Sequence, residues 1–395
     1  MQDPMKLMQG APPPPGMQVS VADWRGPGVC RWSFSHVRHL LPTAPMPPAT
    51  EPAKLPEAKQ DLSAIPVTEN GTELGDFLAG NATDAFVVLH RGRLVWEWYG
   101  GWGATDRQHI VFSISKSLTA LLTGILVGDG GLDPDRPVSH YLPETRGSAY
   151  ENATLRHVLD MTVASGFSEE YLDKDGIFMA YRRAAAWNPP EEGGSSEGLR
   201  SFLSRLPASN ETHGARFHYC SPHSDLLGWV IERASGESFS SICAGRLMQP
   251  CGLAHESYVT LDTYGAPRVA GGICMTARDL ARIGEMVRCG GAAGGSQIVP
   301  ESWVADIRTH DTRPAWRAQT DGPRHFPNGC YRSKWYQTGF EDDELCGIGI
   351  HGQYLWVNPK RETVIVHLAS QDAPTDPDSR PGMIAMLQAT SRACG

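Results

Sequence analysis

The sequence has no cluster of lysine and arginine, no Cys-x-x-Cys pair, no His-Glu-x-x-His and no unbroken apolar run of membrane-spanning length. Each absence removes a class of function. Thirty-five basic residues against 44 acidic ones leave a formal net charge of −9, so a basic face for nucleic acid or an anionic bilayer is not expected. The best apolar run, Leu118 to Val127, is broken by Thr123 and Gly124, and the start, MQDPMKLMQGAPPPPG, has no continuous apolar segment after its lone lysine. Neither a spanning helix nor a signal peptide is therefore expected. The nine cysteines are odd in number and scattered, a pattern that suits reduced thiols and a cytoplasmic location better than a disulfide framework. Fourteen histidines show no metal-ligand spacing, so no metal and no cofactor is expected. What remains is a chain of 395 residues, 41% hydrophobic, large enough to bury a substantial core in one or two domains.

Read in order, residues 1–75 form a Pro- and Ala-rich arm. Its Trp24, Trp32, Phe34, Val37, Leu40 and Leu41 are too apolar for a solvated tail and are expected to pack on the body. The stretch from Asp84 to Tyr99 is β-branched or aromatic on both sides of His90-Arg91-Gly92-Arg93, the pattern of a hairpin. A long helix follows from Ser113 to about Gly128. The middle of the chain reads as helices (Thr154 to Met161, Leu199 to Leu206, Ser224 to Ser235, Phe239 to Met248, Ala277 to Cys289) joined by long loops. Strands return at Gly347 to Ile350, Tyr354 to Val357 and Thr363 to Leu368, and Gly382 to Thr390 closes as a helix. This order predicts an α/β (α+β) fold: a mixed antiparallel sheet built from both termini, flanked by helices, with a largely helical insertion. The expected division is an arm at 1–75, an α/β domain from 76–130 with 265–395, and a helical domain at 131–264.

The chemistry is expected at Ser113 and Lys116. Positions i and i+3 share a helix face, so the serine hydroxyl can lie beside an amine that apolar surroundings drive toward its neutral, basic form. The alternative is an amphipathic helix whose polar face happens to carry both. Of the seven lysines, only Lys116 has a serine three positions earlier. A serine at a helix start also gains free backbone N–H groups that favour a developing anion. Tyr219, in a loop before the Ser224 helix, is a candidate proton donor or relay if its pKa is lowered; a satisfied core tyrosine is the alternative. The glycine-interrupted strand Cys346-Gly347-Ile348-Gly349-Ile350 would let substrate approach closely and, as an edge, offer a second N–H donor. His351 abuts that strand as a pocket candidate, with a packing role as its alternative. Gly194-Ser195-Ser196-Glu197-Gly198 matches Gly-x-Ser-x-Gly formally, but the Pro-, Glu- and Gly-rich segment before it is no buried strand, so a loop is expected there.

In this combination the sequence resembles the serine β-lactamase and penicillin-binding-protein superfamily. It is most similar to the class C-like branch of 6-aminohexanoate-dimer hydrolases and related family VIII-type carboxylesterases. The likeness rests on Ser-x-x-Lys and on RWSFSHV, FHYCSPHSDLLGWVIER, GGICMTARDLARIG and GIGIHGQYLWVNP, and runs from about Trp24 to Ser370. It implies a β-lactamase-like fold and a serine hydrolase that cleaves a small ester or linear amide through an acyl-enzyme. The alternatives are a β-lactamase, a D-alanyl peptidase-like enzyme and a non-catalytic binding relative. It further implies Ser113 as nucleophile, Lys116 as base, Tyr219 as proton relay, Tyr171 as a tyrosine covering bound substrate, and an oxyanion hole from the N–H groups of Ser113 and Ile350. A small-molecule partner is expected, with neither nucleic acid nor membrane, and a homodimer is compatible with the resemblance. Three departures bear on substrate. Tyr-x-Asn is here Tyr219-Cys220-Ser221, and the usual Lys/His-Thr-Gly is Gly347-Ile348-Gly349, which removes the cation for a β-lactam carboxylate. An asparagine common before Gly271 is Ala270. The region after Tyr171, acidic in amide-degrading members, reads as an apolar and basic loop through Arg182. A neutral or anionic ester or amide is therefore expected.

Overall fold

The computed structural model describes residues 6–171, 173, 175–319 and 326–394. Its strands are β1 (Thr43–Met46), β2 (Thr83–His90), β3 (Arg93–Tyr99), β4 (His109–Ile110), β5 (Ser257–Thr260), β6 (Ile273–Met275), β7 (Ala292–Ala293), β8 (Ser296–Gln297), β9 (Cys330–Arg332), β10 (Trp335–Gln337), β11 (Leu345–Gly349), β12 (Gln353–Asn358) and β13 (Thr363–Ala369). A seven-stranded sheet runs β3-β2-β13-β12-β11-β10-β9, so the early hairpin and the late strands meet at the β2–β13 pair, as the β-lactamase-like reading expects. The β2–β3 turn is Arg91-Gly92 with φ +52° and +72°, the two-residue left-handed turn that matches strand twist.

Alternation decides what each face of this sheet covers. Val87, Leu89, Val364, Val366, Leu355 and Val357 belong to one buried cluster together with Leu280, Ile283 and Val287 of the Ala277–Arg288 helix. Phe86, Val88, Ile365 and Trp356 belong to the other, with Met383, Met386 and Leu387 of the Arg380–Cys394 helix and Phe77 and Leu78 of Leu74–Gly80. Gly284 sets the spacing on the first face: a Cβ there would stand 2.6 Å from Val364 Cγ1, and any side chain would lift the helix off the sheet.

Every residue from Ile114 to Leu126 of the Ile114–Gly128 helix is buried, and the hydroxyls of Ser117, Thr119 and Thr123 are satisfied by the carbonyls of Lys334, Ser115 and Thr119. It packs between the Ser221–Ser235 helix and β11. This carries its N-terminus, and with it Ser113, into the interior, next to the late strands.

Several features depart from the sequence reading, among them β9, β10 and the Glu301–Thr309 and Arg313–Arg317 helices, none of which is expected. A second sheet, β1-β5-β6-β4, is unexpected; its strands of two to four residues are too short to show a period. The predicted loop after Tyr171 contains a helix, Ile177–Ala184, which buries Phe178, Tyr181 and Ala184 at threefold spacing. It lacks a capping side chain, the signal that would have revealed it. The Ser221–Ser235 helix starts three residues before the predicted Ser224, because Pro222 in its first turn fits a helix start. Among the described residues no helix is long and apolar enough to cross a membrane.

Candidate active site

The chain enters the central helix through a left-handed residue. Val111 N–H donates to the Ile273 carbonyl at 3.0 Å, Phe112 turns with φ +42°, and Ser113 occupies the N-cap. Positive φ is costly for a bulky residue. Here it is held by packing of the Phe112 ring against Trp24, Phe34 and Trp187, with centroids 6.4, 4.8 and 6.0 Å away.

One turn into the helix, Lys116 Nζ lies 2.8 Å from Ser113 Oγ and donates to the Ala270 carbonyl at 2.5 Å. The side chain is 1% exposed. Burial is the largest influence on its amine and pushes it down to about 8; Glu169 and Asp225 resist that fall, and Arg268 adds to it. The amine is thus both in contact with the hydroxyl and poised to accept its proton near neutral pH.

Tyr219 is hydrogen-bonded to Ser113, and its ring centroid is 5.2 Å from Lys116 Nζ. The lowered pKa anticipated for it is not found. Burial, aided by Tyr336 and Glu169, pushes the hydroxyl well above the ordinary tyrosine value, and the Ser113 hydrogen bond does not offset it. Tyr219 is therefore a neutral donor.

Ile350 follows the last residue of β11. That strand is not the simple edge expected: β10 pairs with Leu345 and Cys346, and only the Gly347–Gly349 end is open on that side. Gly349 is required by close approach, since a Cβ would stand 2.7 Å from the Val111 carbonyl. Among the described residues neither Ser113 N–H nor Ile350 N–H donates to a backbone carbonyl, which leaves two donors open beside the serine hydroxyl.

Two cavities meet at this point. The larger, about 810 Å³, is walled by Tyr219, Trp316, Tyr336, Ile348 and Tyr354 among others; the narrower, about 20 Å³, lies among Arg25, Phe178, Arg182 and Trp187. Ser113, Glu169, Tyr171 and Ile350 line both. Tyr171 thus shares both cavities with the serine, and its hydroxyl donates to Glu169 Oε1 at 2.6 Å.

His351 does not join the cavity walls. Its φ is +63°, its Nδ1 pairs with the Gln371 carbonyl at 2.6 Å, and its ring packs against Phe34 and Phe112 at 4.9 and 5.4 Å. Burial lowers its pKa to about 4, so it is a neutral packing residue behind Phe112. Ser196 lies in a loop ahead of the Leu199–Ser204 helix, with its hydroxyl on the Arg183 carbonyl at 3.2 Å, and no strand leads into it.

Sequence reasoning missed several residues that the fold gathers here. Glu169 accepts from Ser221 N at 2.6 Å and from Ser221 Oγ at 2.8 Å, tying the Tyr171 segment to the Tyr219 segment. Asp225 pairs with Arg268, accepts from Tyr181 Oη at 2.5 Å and from Ala270 N–H at 2.7 Å. Arg25 comes from the arm. Only the adjacency of Glu169 to Tyr171 could have flagged one of them.

The chain is similar to known proteins over most of its length. A family model described as Beta-lactamase matches residues 76–389. The chain is 34% identical over 368 residues to a 6-aminohexanoate-dimer hydrolase of Paenarthrobacter ureafaciens, covering 92% of this chain and 90% of that one. In fold it resembles a Bacillus anthracis structure assigned as a 6-aminohexanoate-dimer hydrolase, with TM-score 0.86, 23% identity and coverage of 95% and 97%. It also resembles a family VIII carboxylesterase, with TM-score 0.61, 16% identity and coverage of 81% and 95%.

Proposed function

The chain belongs to the Beta-lactamase family and is a hydrolase of the serine type, and from that premise we propose that it cleaves a small ester or linear amide through an acyl-enzyme on Ser113. The observation that carries this reading is the 2.8 Å contact between Ser113 Oγ and a buried Lys116 amine lowered to about 8. In the first step Ser113 Oγ attacks the substrate carbonyl carbon and its proton passes to Lys116 Nζ. The oxyanion is held by the N–H groups of Ser113 and Ile350. Tyr219, hydrogen-bonded to Ser113, hands a proton to the departing alcohol or amine and regains one from the Lys116 ammonium. Water then attacks the acyl-enzyme and gives its proton to Lys116, and as the Oγ–C bond breaks the Lys116 ammonium returns a proton to Ser113 Oγ, so that the carboxylic acid leaves and both groups are restored. Tyr171, fixed by Glu169, covers the bound acyl group.

The expected division at 76–130 with 265–395 and at 131–264 fits a catalytic helix held between the large sheet and the Ser221–Ser235 helix. A cytoplasmic location suits nine unpaired thiols, and a net charge of −9 suits a small-molecule rather than a nucleic-acid partner. A homodimer is proposed on the resemblance alone, and sedimentation tests it.

The deciding experiment is covalent labelling. A fluorophosphonate, or p-nitrophenyl acetate with mass detection, is expected to modify Ser113 in the wild type and nothing in Ser113→Ala. Wild-type protein that is neither labelled nor active on short esters would overturn the proposal. Nitrocefin turnover is expected to be far slower than ester turnover, because no cation stands on Gly347-Ile348-Gly349.

A further inference from the structure

The narrow cavity beside Ser113 is lined by three arginines, of which only Arg268 has a carboxylate partner among the described residues. Arg268 pairs with Asp225. Arg25 donates to the Trp187 carbonyl at 3.2 Å and to Asn188 Oδ1 at 2.5 Å. Arg182 reaches Met179 Sδ at 3.9 Å, and among the described residues neither Arg25 nor Arg182 forms an ion pair. The Nε atoms of all three are buried without a hydrogen-bond partner.

Aromatic faces hold these guanidinium groups in place. Arg182 Cζ is 4.4 Å from the Phe178 ring centroid, while Arg25 and Arg268 approach Trp187 at 5.6 and 4.8 Å. Such contacts orient a cation but leave its donors open. Arg25 also feels the others: burial first, then Arg182 and Arg268, lowers its pKa. The nearby carboxylate of Glu169 is already engaged by Tyr171 and by both Ser221 donors. Mutually repelling guanidinium groups, Arg268 buried and Arg25 and Arg182 half-buried, whose Nε donors are out of water and unfilled, are stabilised by an anion. The wall that supplies them belongs to the same cavity as Ser113 and Ile350.

We propose that this pocket binds a free carboxylate of the substrate, so that the enzyme prefers esters or amides that also carry a carboxylate a few bonds from the scissile carbonyl. Arg182 and Arg25 are its specificity-determining residues, and Arg268 completes the positive wall. The proposal rests on Ser113 being the nucleophile, and its test separates the two ideas.

Two isosteric pairs are compared by kcat/KM: mono-p-nitrophenyl glutarate against p-nitrophenyl 5-methylhexanoate, with the charge on the acyl side, and p-acetoxybenzoate against p-acetoxybenzamide, with the charge on the leaving side. One pair is expected to favour its carboxylate member by at least about tenfold, as a charge-assisted bidentate contact would. In Arg182→Gln, and independently in Arg25→Gln, that ratio is expected to fall toward one, with fluorophosphonate labelling of Ser113 reporting an intact fold. Glutarate ion is expected to inhibit wild-type turnover of the neutral ester competitively. Absence of preference in both pairs, or a preference that survives in a folded Arg182→Gln and Arg25→Gln, overturns the carboxylate pocket. In that case Ser113-dependent turnover of the neutral esters leaves the serine mechanism standing, whereas loss of labelling in the wild type removes both.

Discussion

The carbonyl of Ala270 accepts a hydrogen bond from Lys116 Nζ at 2.5 Å, while its N–H donates to Asp225 Oδ1 at 2.7 Å. Position 270 thus serves the site through its peptide groups, a role that alanine fills without a side-chain contact. The anchor is Asp225, itself paired with buried Arg268. Asp225→Asn would leave a buried guanidinium without its counter-charge, at a cost of about 3–5 kcal/mol. It also removes a negative charge that holds the Lys116 amine up. The variant is therefore expected to melt earlier and to shift the ascending limb of its pH–rate profile to lower pH. A limb that stays in place would show that Asp225 acts on the fold only.

For the wild type, an amine lowered to about 8 predicts that kcat/KM on a neutral ester climbs with pH and levels off near that value, as Lys116 loses its proton. Lys116→Ala is expected to lose about three orders of magnitude in kcat while its circular dichroism is unchanged. Activity retained within a factor of about ten would move the base elsewhere, with Tyr219 the next group in contact with Ser113.

Tyr219 offers a sharper test because it is a neutral donor. Tyr219→Phe removes the proton supplied to the leaving group, so the loss should grow with the basicity of that group: small for p-nitrophenyl esters, about a hundredfold or more for alkyl esters and amides. Equal losses across a leaving-group series would assign Tyr219 to positioning Ser113.

The contrast between what the sequence discloses and what it hides follows from distance along the chain. Ser113 and Lys116 are one helical turn apart, so local geometry alone places their side chains together. The Ile350 strand is readable because Gly347 and Gly349 mark close approach. Arg25 reaches the cavity from the arm, and Arg268 and Asp225 meet only because the Ser221–Ser235 helix packs against the segment before Gly271; no local pattern encodes that. Arg182 reads from sequence as part of a loop, since the eight-residue Ile177–Ala184 helix lacks a capping side chain. Of the large sheet, β2, β3, β11, β12 and β13 show their pattern in the sequence and the three-residue β9 and β10 do not, while the second sheet's β1, β4, β5 and β6 are too short to show any.

Gly349 is the steric gate of the second N–H donor. A methyl group there would meet the Val111 carbonyl at 2.7 Å and Gln353 Cβ at 2.9 Å, and neither neighbour can withdraw without moving β12 or the entry to the central helix. Gly349→Ala is expected to cost about 1–3 kcal/mol of stability and to lower kcat more than tenfold, because displacing Ile350 N–H weakens the oxyanion contact (about 3 kcal/mol for one such donor). Thermal melts and steady-state kinetics on one neutral ester check both. Full activity in the variant would show that Ile350 N–H does not meet the oxyanion.

The buried amine also leaves a mark on stability. Its value in the folded chain is about 8, below the ordinary lysine value of about 10.4, so the folded state sheds the proton first. Between those values the unfolded chain binds more protons, and the wild type gains stability as pH rises through the window, by about 3 kcal/mol in all. Below pH 8 the buried charge is a constant cost. Lys116→Met abolishes that dependence, but it also leaves the Ala270 carbonyl without its Lys116 donor, a loss of about 1–3 kcal/mol. The two opposing effects put the variant close to the wild type at neutral pH and make it the less stable of the two near pH 10. Urea melts of both proteins across the window measure the difference directly. A gap that does not change with pH would mean that the Lys116 amine titrates at its ordinary value, and the general-base assignment would have to be abandoned with it.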